Sequence, residues 1–189
     1  MIRVATAHDA VAVAEIYAPI VATTPVSFEE DVPSADEMRG RILKTLETYP
    51  WLVWDTGTIG GYAYATTHRA RPAYRWSVEV SAYVREDARG GGIATSLYSA
   101  LFRILRAQGF HRAFAGIALP NDASAALHSA CGFEPIGIFR DIGYKLGSWH
   151  DTQWWQRDLG NDGEAPREPT PLARLDGALV EELIGLDAP

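Results

Sequence analysis

Apolar and polar positions recur along this chain with two periods, and the switches between them mark its elements. Ile2 to Ala5 is a short apolar run that predicts a first strand. Thr6 and Asp9 have capping-box spacing, and Val11, Ile16 and Ile20 then fall on one side of a predicted first helix. Pro19, which brings no N–H, is expected to end or kink it. Thr23 to Pro33 has loop composition. Ser34 and Glu37 repeat the capping box, and Met38, Ile42, Leu43 and Leu46 give a second helical stripe up to Pro50.

The period then becomes two. Trp51–Trp54 and Ile59–His68 predict two strands joined by a hairpin turn in which Gly57 is free to take positive φ. A basic connector, Arg69 to Ala73, leads to a third strand over Arg75–Val84. There Trp76, Val78, Val80, Ala82 and Val84 alternate with Ser77, Glu79, Ser81 and Tyr83. One face is apolar; the other is mostly polar and carries a single carboxylate. A charged turn and three glycines, Gly90 to Gly92, open a helix over about Ile93–Gln108. Ile93, Leu97, Leu101, Ile104 and Leu105 form its stripe, and Gly109 is its stop. His111–Leu119 predicts a strand. Pro120-Asn121-Asp122 starts a helix that Gly132 ends, and two strands follow near 135–142 and 149–159. The order β-α-α-β-β-β-α-β-α-β-β predicts a mixed α/β (α+β) sheet with helices on both faces. Residues 1–159 form the expected domain. Residues 160–189 read as an acidic tail containing Pro and Gly, in which Leu172, Leu175, Leu179 and Leu183 are spaced for a short helix; a frayed end is the alternative.

Composition narrows the setting. Of the formal charge of −7, residues 160–189 carry seven acidic and two basic side chains, which leaves −2 on residues 1–159. A nearly neutral domain argues against a nucleic-acid partner. No apolar run approaches the ~20 residues of a membrane span. The first ten residues lack a basic region followed by an apolar stretch, so a cytoplasmic protein is expected. One cysteine, Cys131, excludes an intramolecular disulfide, and no metal-ligand cluster is apparent.

The strand–glycine–helix junction is the strongest chemical signal. Unpaired N–H groups at a helix start favour a diphosphate, and glycines let the anion come close. A plain tight turn and an RGG-type RNA-binding element are the alternatives for the glycines alone. The dinucleotide fingerprint fits poorly, because position 95 is Thr where it asks for a third glycine. The spacing Arg89-x-x-Gly92-x-Ala94, with a strand before, a helix after and Asn121 at the next helix start, resembles the GNAT superfamily of N-acetyltransferases. Tyr74–Glu79, Ala82–Val84, Ala118–Ser124, Leu127-His128, Gly143–Lys145, Trp149–Asp151 and Trp155–Asp158 narrow this. They are similar to the phosphinothricin and methionine-sulfoximine N-acetyltransferases, over roughly residues 2–159.

The resemblance implies an acetyl-CoA-dependent transfer to the α-amine of a small amino acid, in a mostly antiparallel GNAT-like sheet and commonly in a homodimer. It places Ala82, Tyr83 and Val84 along the pantetheine arm and acetyl carbonyl, with a bulge splaying their strand. Gly90, Gly91, Gly92, Ile93, Ala94 and Thr95 fall at the pyrophosphate with Arg89, Asn121 at the coenzyme arm, and the Val84 amide at the oxyanion. Glu79 is the expected base, with a cross-strand partner for an arginine such as Arg75 as the bland alternative. His128 stands where it serves the departing thiolate or faces the substrate; a packed helix histidine is the other possibility. Arg71-Pro72-Ala73 occupies the substrate-loop position, with Arg71 for a carboxylate and Phe28 covering the site. Tyr144, Lys145 and Trp149 are candidates for the far wall. Two other functions stay open: acetylation of a peptide N-terminus or polyamine, and acyl-CoA sensing without catalysis.

Overall fold

A computed structural model describes residues 1–160 and 165–186. Its centre is a seven-stranded sheet: β1 (Ile2–Val4), β2 (Trp51–Asp55), β3 (Ile59–Thr67), β4 (Ser77–Val84), β5 (Arg112–Ala118), β6 (Glu134–Lys145) and β7 (Ser148–Asp158). The strands lie in the order β1-β2-β3-β4-β5-β7-β6. All neighbours are antiparallel except β4 and β5.

Helices cover both faces. On one side α1 (Ala10–Thr23) and α2 (Ala35–Leu46) pack on β2–β4; on the other, α3 (Ile93–Gln108) lies across β2–β4, with α4 (Asp122–Ala130) and α5 (Gly177–Gly185) beside it. Strand alternation feeds two cores. Leu52, Ala63, Ala65, Val78 and Val80 face α3, whereas Trp51, Val53 and Tyr62 face α1 and α2. The predicted stripe of α3 is in place, with Leu97, Leu101, Ile104 and Leu105 fully buried.

Several local expectations are corrected. Pro19 does not end α1, which runs on to Thr23. Burial of Ile16, Tyr17, Ile20 and Val21 around it outweighs the roughly 3 kcal/mol that an interior proline costs. Val11 and Leu43 are exposed rather than part of buried stripes. A helix between a sheet and another helix buries more than one face, so its pattern does not single out one stripe. β4 begins at Ser77. Trp76 lies before it and donates its indole N–H to Arg167 O (2.7 Å). β6 and β7 are longer than expected and meet in a tight turn with Leu146 and Gly147 at φ 51° and 81°.

The expected tail linker falls partly on 161–164, outside the described residues. Beyond it the tail is docked. Gln108 donates to Thr48 O and Thr170 O, Arg75 pairs with Glu168 (2.7 Å), and Arg103 donates to Leu183 O (2.6 Å). The helix starts at Gly177, not Leu172, and buries Val180 while Leu179 stays exposed. Asp176 caps it through the Ala178 N–H (3.0 Å), which fixes the start later than leucine spacing suggests.

Candidate active site

Where β4 and β5 part, the sheet opens. The two pair only over Ser77–Glu79 and Arg112–Phe114, although β4 continues to Val84 and β5 to Ala118. No bulge causes this, because β3 and β4 stay in unbroken register from Gly61↔Val84 to Thr67↔Val78. The expected bulge is therefore corrected to a divergence of two straight strands. Arg85 N–H donates to Gly60 O (2.9 Å), so Arg85 and Gly60 form a hydrogen-bonded pair. Such pairs alternate along an antiparallel ladder. The main-chain groups of Val80, Ala82 and Val84 therefore point away from β3 into the opening. Those of Tyr83 are turned to Tyr62, and its ring packs edge-on against Tyr17 (centroids 5.1 Å).

The glycine turn follows directly. Gly90 and Gly92 have φ of 81° and 76°, a region that L side chains rarely adopt, and Gly91 between them is exposed. Gly92 is the N-cap of α3, and no side chain caps that end. The first N–H groups of the helix, at Ile93, Ala94 and Thr95, thus have no intrahelical acceptor and sit at the positive end of its dipole. Ile93 offers only its backbone, since its side chain is in the core. Arg89 is exposed and turns back to Val84 O (3.4 Å). Asn121 caps α4 by accepting the Ser124 N–H (3.1 Å), and it lines the narrow groove between β4 and β5.

At the inner end of the opening, on the α1 face, lies a bowl of about 510 Å³. Glu79, the last β4 residue paired with β5, stands in it with Ser81 and Tyr83. Burial pushes its carboxyl above the ordinary value near 4.5, and the Arg69 charge partly opposes this. Arg75 is not its partner, being held by Glu168 and stacked over Trp76 at 4.0 Å. His68 sits beside Glu79, with Nδ1 3.7 Å from Oε2.

The connector supplies Arg69 to the lining. Arg71, Pro72 and Ala73 lie outside it, exposed at a 3₁₀ turn. Phe28 lines the bowl and lies so close to Gly143 that any side chain there would run into its ring.

Phe139 and Ile142 also line the bowl, although residues three apart on a regular strand face opposite ways. The register of β6 breaks between Phe139 and Gly143, with Asp141 at φ 47°. Asp151 holds the irregularity by accepting the Asp141 N–H (2.9 Å) and an Arg140 N–H. Those two bonds hold its carboxyl below the usual range, the Asp141 N–H most of all.

Lys145 is not a wall residue. It is buried, and its Nζ donates to Val21 O (2.6 Å) and Ser27 O (2.7 Å). The hairpin thereby grips the segment that presents Phe28. The other end of that segment is tied by Tyr17 to Ser27 and Glu29, and by a bidentate Arg41–Glu29 pair. Tyr144 and Trp149 are exposed on the hairpin and do not line the bowl.

His128 is buried, and its Nδ1 lies 2.7 Å from Ser124 O, a carbonyl that can only accept. Burial keeps the ring neutral by lowering its pKa. Nε2 therefore carries no proton and accepts from the buried Tyr98 hydroxyl (3.2 Å). Both nitrogens are engaged, so neither is a free donor for a departing thiolate. The ring does line the narrow groove.

Chemically, the arrangement offers anion donors at one end, outward main-chain groups in the middle and an elevated carboxylate at the other end. The contributions of His68, Phe139, Thr152 and Trp154 to the bowl escaped sequence reasoning. The one available signal was the presence of chemistry-bearing residues next to the Glu79 strand. Among the described residues, no His/Cys/Asp/Glu group could hold a metal ion, and no helix is long and apolar enough to cross a membrane.

Known proteins resemble this chain in sequence and fold. The acetyltransferase (GNAT) domain profile matches residues 2–154. A phosphinothricin N-acetyltransferase of Streptomyces viridochromogenes is 40% identical over 172 residues, covering 90% of this chain and 92% of the relative. An L-methionine sulfoximine/L-methionine sulfone acetyltransferase of Pseudomonas aeruginosa is 36% identical, covering 87% and 98%. The crystal structure of a GNAT superfamily phosphinothricin acetyltransferase from Sinorhizobium meliloti, in complex with acetyl-CoA, aligns with a TM-score of 0.84. It is 40% identical, covering 89% of this chain and 93% of that one.

Proposed function

The chain belongs to the GNAT acetyltransferase family, and we propose that it moves acetyl from acetyl-CoA to the α-amine of a small amino acid or analogue such as phosphinothricin, methionine sulfoximine or methionine sulfone. One observation carries the reading: an elevated carboxylate stands in a bowl that continues into the gap between β4 and β5.

Acetyl-CoA is the acyl donor, and its thioester supplies an activated carbonyl. The α3 start from Gly90 to Thr95 would hold its diphosphate, and Ala82 and Val84 its arm. The amine arrives as an ammonium. With a model α-amine at ~7.7–8.0 and a lysine at ~10.4, removing one proton at pH 7 costs about 1 to about 4.6 kcal/mol; a free amino acid falls between, because its carboxylate raises the amine pKa, so a modest base is enough. Glu79 takes that proton, directly or through one water. The Val84 N–H faces the carbonyl oxygen as it gains charge, a role worth most when the donor is fixed beforehand. Forming the amide releases two protons from the ammonium. One ends on the thiol and the other leaves through Glu79. Arg69 lines the bowl as a cation for a substrate carboxylate, and Phe28, Phe139 and Ile142 offer apolar surface to the methylene and methyl carbons of such a side chain.

The enzyme works as a homodimer in this reading. Ile136, Ile138, Ile142, Tyr144, Leu146 and Trp149 are exposed on the β6–β7 hairpin, and β6 is an edge strand. A patch of this kind calls for a partner surface. The acyl donor supports a cytoplasmic site of action. Residues 1–159 form the catalytic domain and the tail straps it.

Free thiol released from acetyl-CoA tests the reading. Turnover is expected with phosphinothricin or methionine sulfone and not with a peptide N-terminus or a polyamine. Release with the peptide alone, or with none of these amines, overturns it.

A further inference from the structure

His68 follows the last residue of β3 and is almost entirely inside, with 11% of its side chain exposed. Its ring lies flat on Phe114 (centroids 4.3 Å, 15°), the residue that pairs with Glu79 across β4 and β5. Trp154 from β7 and Tyr74 from the connector meet it edge-on. Three aromatic neighbours thus hold the imidazole in one plane. Nδ1 is buried and has no hydrogen-bond partner. A buried polar atom without a partner costs free energy unless the working state supplies one. The nearest acceptor is Glu79 Oε2 at 3.7 Å, too long for a hydrogen bond at rest. Catalytic hydrogen bonds are often long in the unloaded enzyme and close when substrate binds.

We propose that His68 is the positioning residue for Glu79. In the loaded enzyme its Nδ1–H donates to Oε2, which leaves Oε1 turned to the incoming ammonium. Burial, aided by the Arg69 charge, lowers the pKa of the ring, so it stays a neutral donor rather than a second cation. The charged and titratable groups facing it are Arg69 and Tyr74 from the connector and Glu79 from β4. Phe114 and Trp154 bring none.

The inference rests on Glu79 being the base, so Glu79→Gln is measured beside it. His68→Phe keeps an aromatic ring on Phe114 and removes the N–H. His68→Asn loses the ring but can place an amide N–H near the Nδ1 position. His68→Phe is expected to lower kcat roughly tenfold or more with the KM of both substrates nearly unchanged, because a misaimed base slows chemistry rather than binding. It also moves the acid limb of the pH profile upward, since a hydrogen bond to the carboxylate favours its charged form. His68→Asn is expected to recover most of both. Thermal unfolding with and without acetyl-CoA checks that each variant is folded. Wild-type kcat and pH profile in His68→Phe, or equal loss in both variants, overturns the positioning role while an inactive Glu79→Gln leaves the base reading standing. An active Glu79→Gln overturns both.

Discussion

The two ends of the site are built in opposite ways. In the proposed reading the coenzyme end is mostly one run, Ala82 to Thr95, joined by Asn121 at the start of α4, and it offers main-chain groups: Ala82 and Val84 facing the gap, and the uncapped start of α3 behind Gly90 and Gly92. In the proposed reading the amine end is made mostly of side chains, from several separate elements. Phe28 comes from the α1–α2 segment, His68 and Arg69 from the stretch after β3, Glu79 from β4, Ala118 from β5, Phe139 and Ile142 from β6, and Trp154 from β7. A main-chain site needs little beyond a backbone path, and only its glycines are hard to replace. A side-chain site can be retuned one residue at a time. The contrast fits a family that keeps one acyl donor and varies the acceptor.

The sharpest break in that comparison is Glu79→Gln. Loss of the base should lower kcat by roughly 10²–10⁴-fold. Calorimetry should find acetyl-CoA affinity unchanged, because Glu79 belongs to the other end. A parallel loss of coenzyme binding would merge the two ends into one.

The next effect runs the other way. Gly92 has φ 76°, where an L side chain costs roughly 1–2 kcal/mol. Gly92→Ala should re-aim the α3 start and weaken acetyl-CoA binding up to about tenfold, which is 1.4 kcal/mol. The KM for the amine should hold, and kcat should return at saturating coenzyme. A raised amine KM with intact coenzyme affinity would contradict the division.

The same contrast explains what was legible in the sequence. The coenzyme end could be read because strand, glycines and helix are adjacent, and because the apolar stripe of α3 runs unbroken from Ile93 to Leu105. The amine end could be read only where one residue stood out, as Glu79 did on its polar face. His128 had the right type and place. Its role turned on Tyr98, thirty residues upstream, and on the Ser124 carbonyl, which claim its two nitrogens. Arg69 and Arg71 could not be separated, because an irregular connector has no period to say which side chain turns inward. β4 keeps an unbroken register with β3, and the register break beside the bowl is in β6, where no residue pattern announces it.

Lys145 tests whether the amine end depends on its supports as well as its lining. Lys145→Met leaves Val21 O and Ser27 O without their ammonium donor, a loss of roughly 1–3 kcal/mol for each buried group left unmet. The melting temperature should fall, and the amine KM should rise several-fold as Phe28 loses its hold. Acetyl-CoA affinity should not move. If Lys145→Met lowered stability and left the amine KM alone, the segment carrying Phe28 would be a passive rim.

The smallest effect belongs to Arg69, and it concerns charge rather than shape. Burial raises the Glu79 pKa and Arg69 lowers it, burial being the larger influence. As the proposed base, Glu79 acts only when ionised, so kcat/KM is expected to fall as pH drops through that elevated value. The acid limb of wild-type enzyme should therefore lie above the ordinary carboxylate value of 4.5. Arg69→Gln removes the opposing charge, and the limb should move further up. Arg69 is exposed, so ions screen it, and added salt should shift the wild-type limb in the same direction while barely shifting the variant. With an amine that has no carboxylate, the displacement should persist although no anion is left for Arg69 to bind. A limb that moves only with carboxylate substrates would make Arg69 a binding group alone, and would leave burial as the whole source of the Glu79 shift.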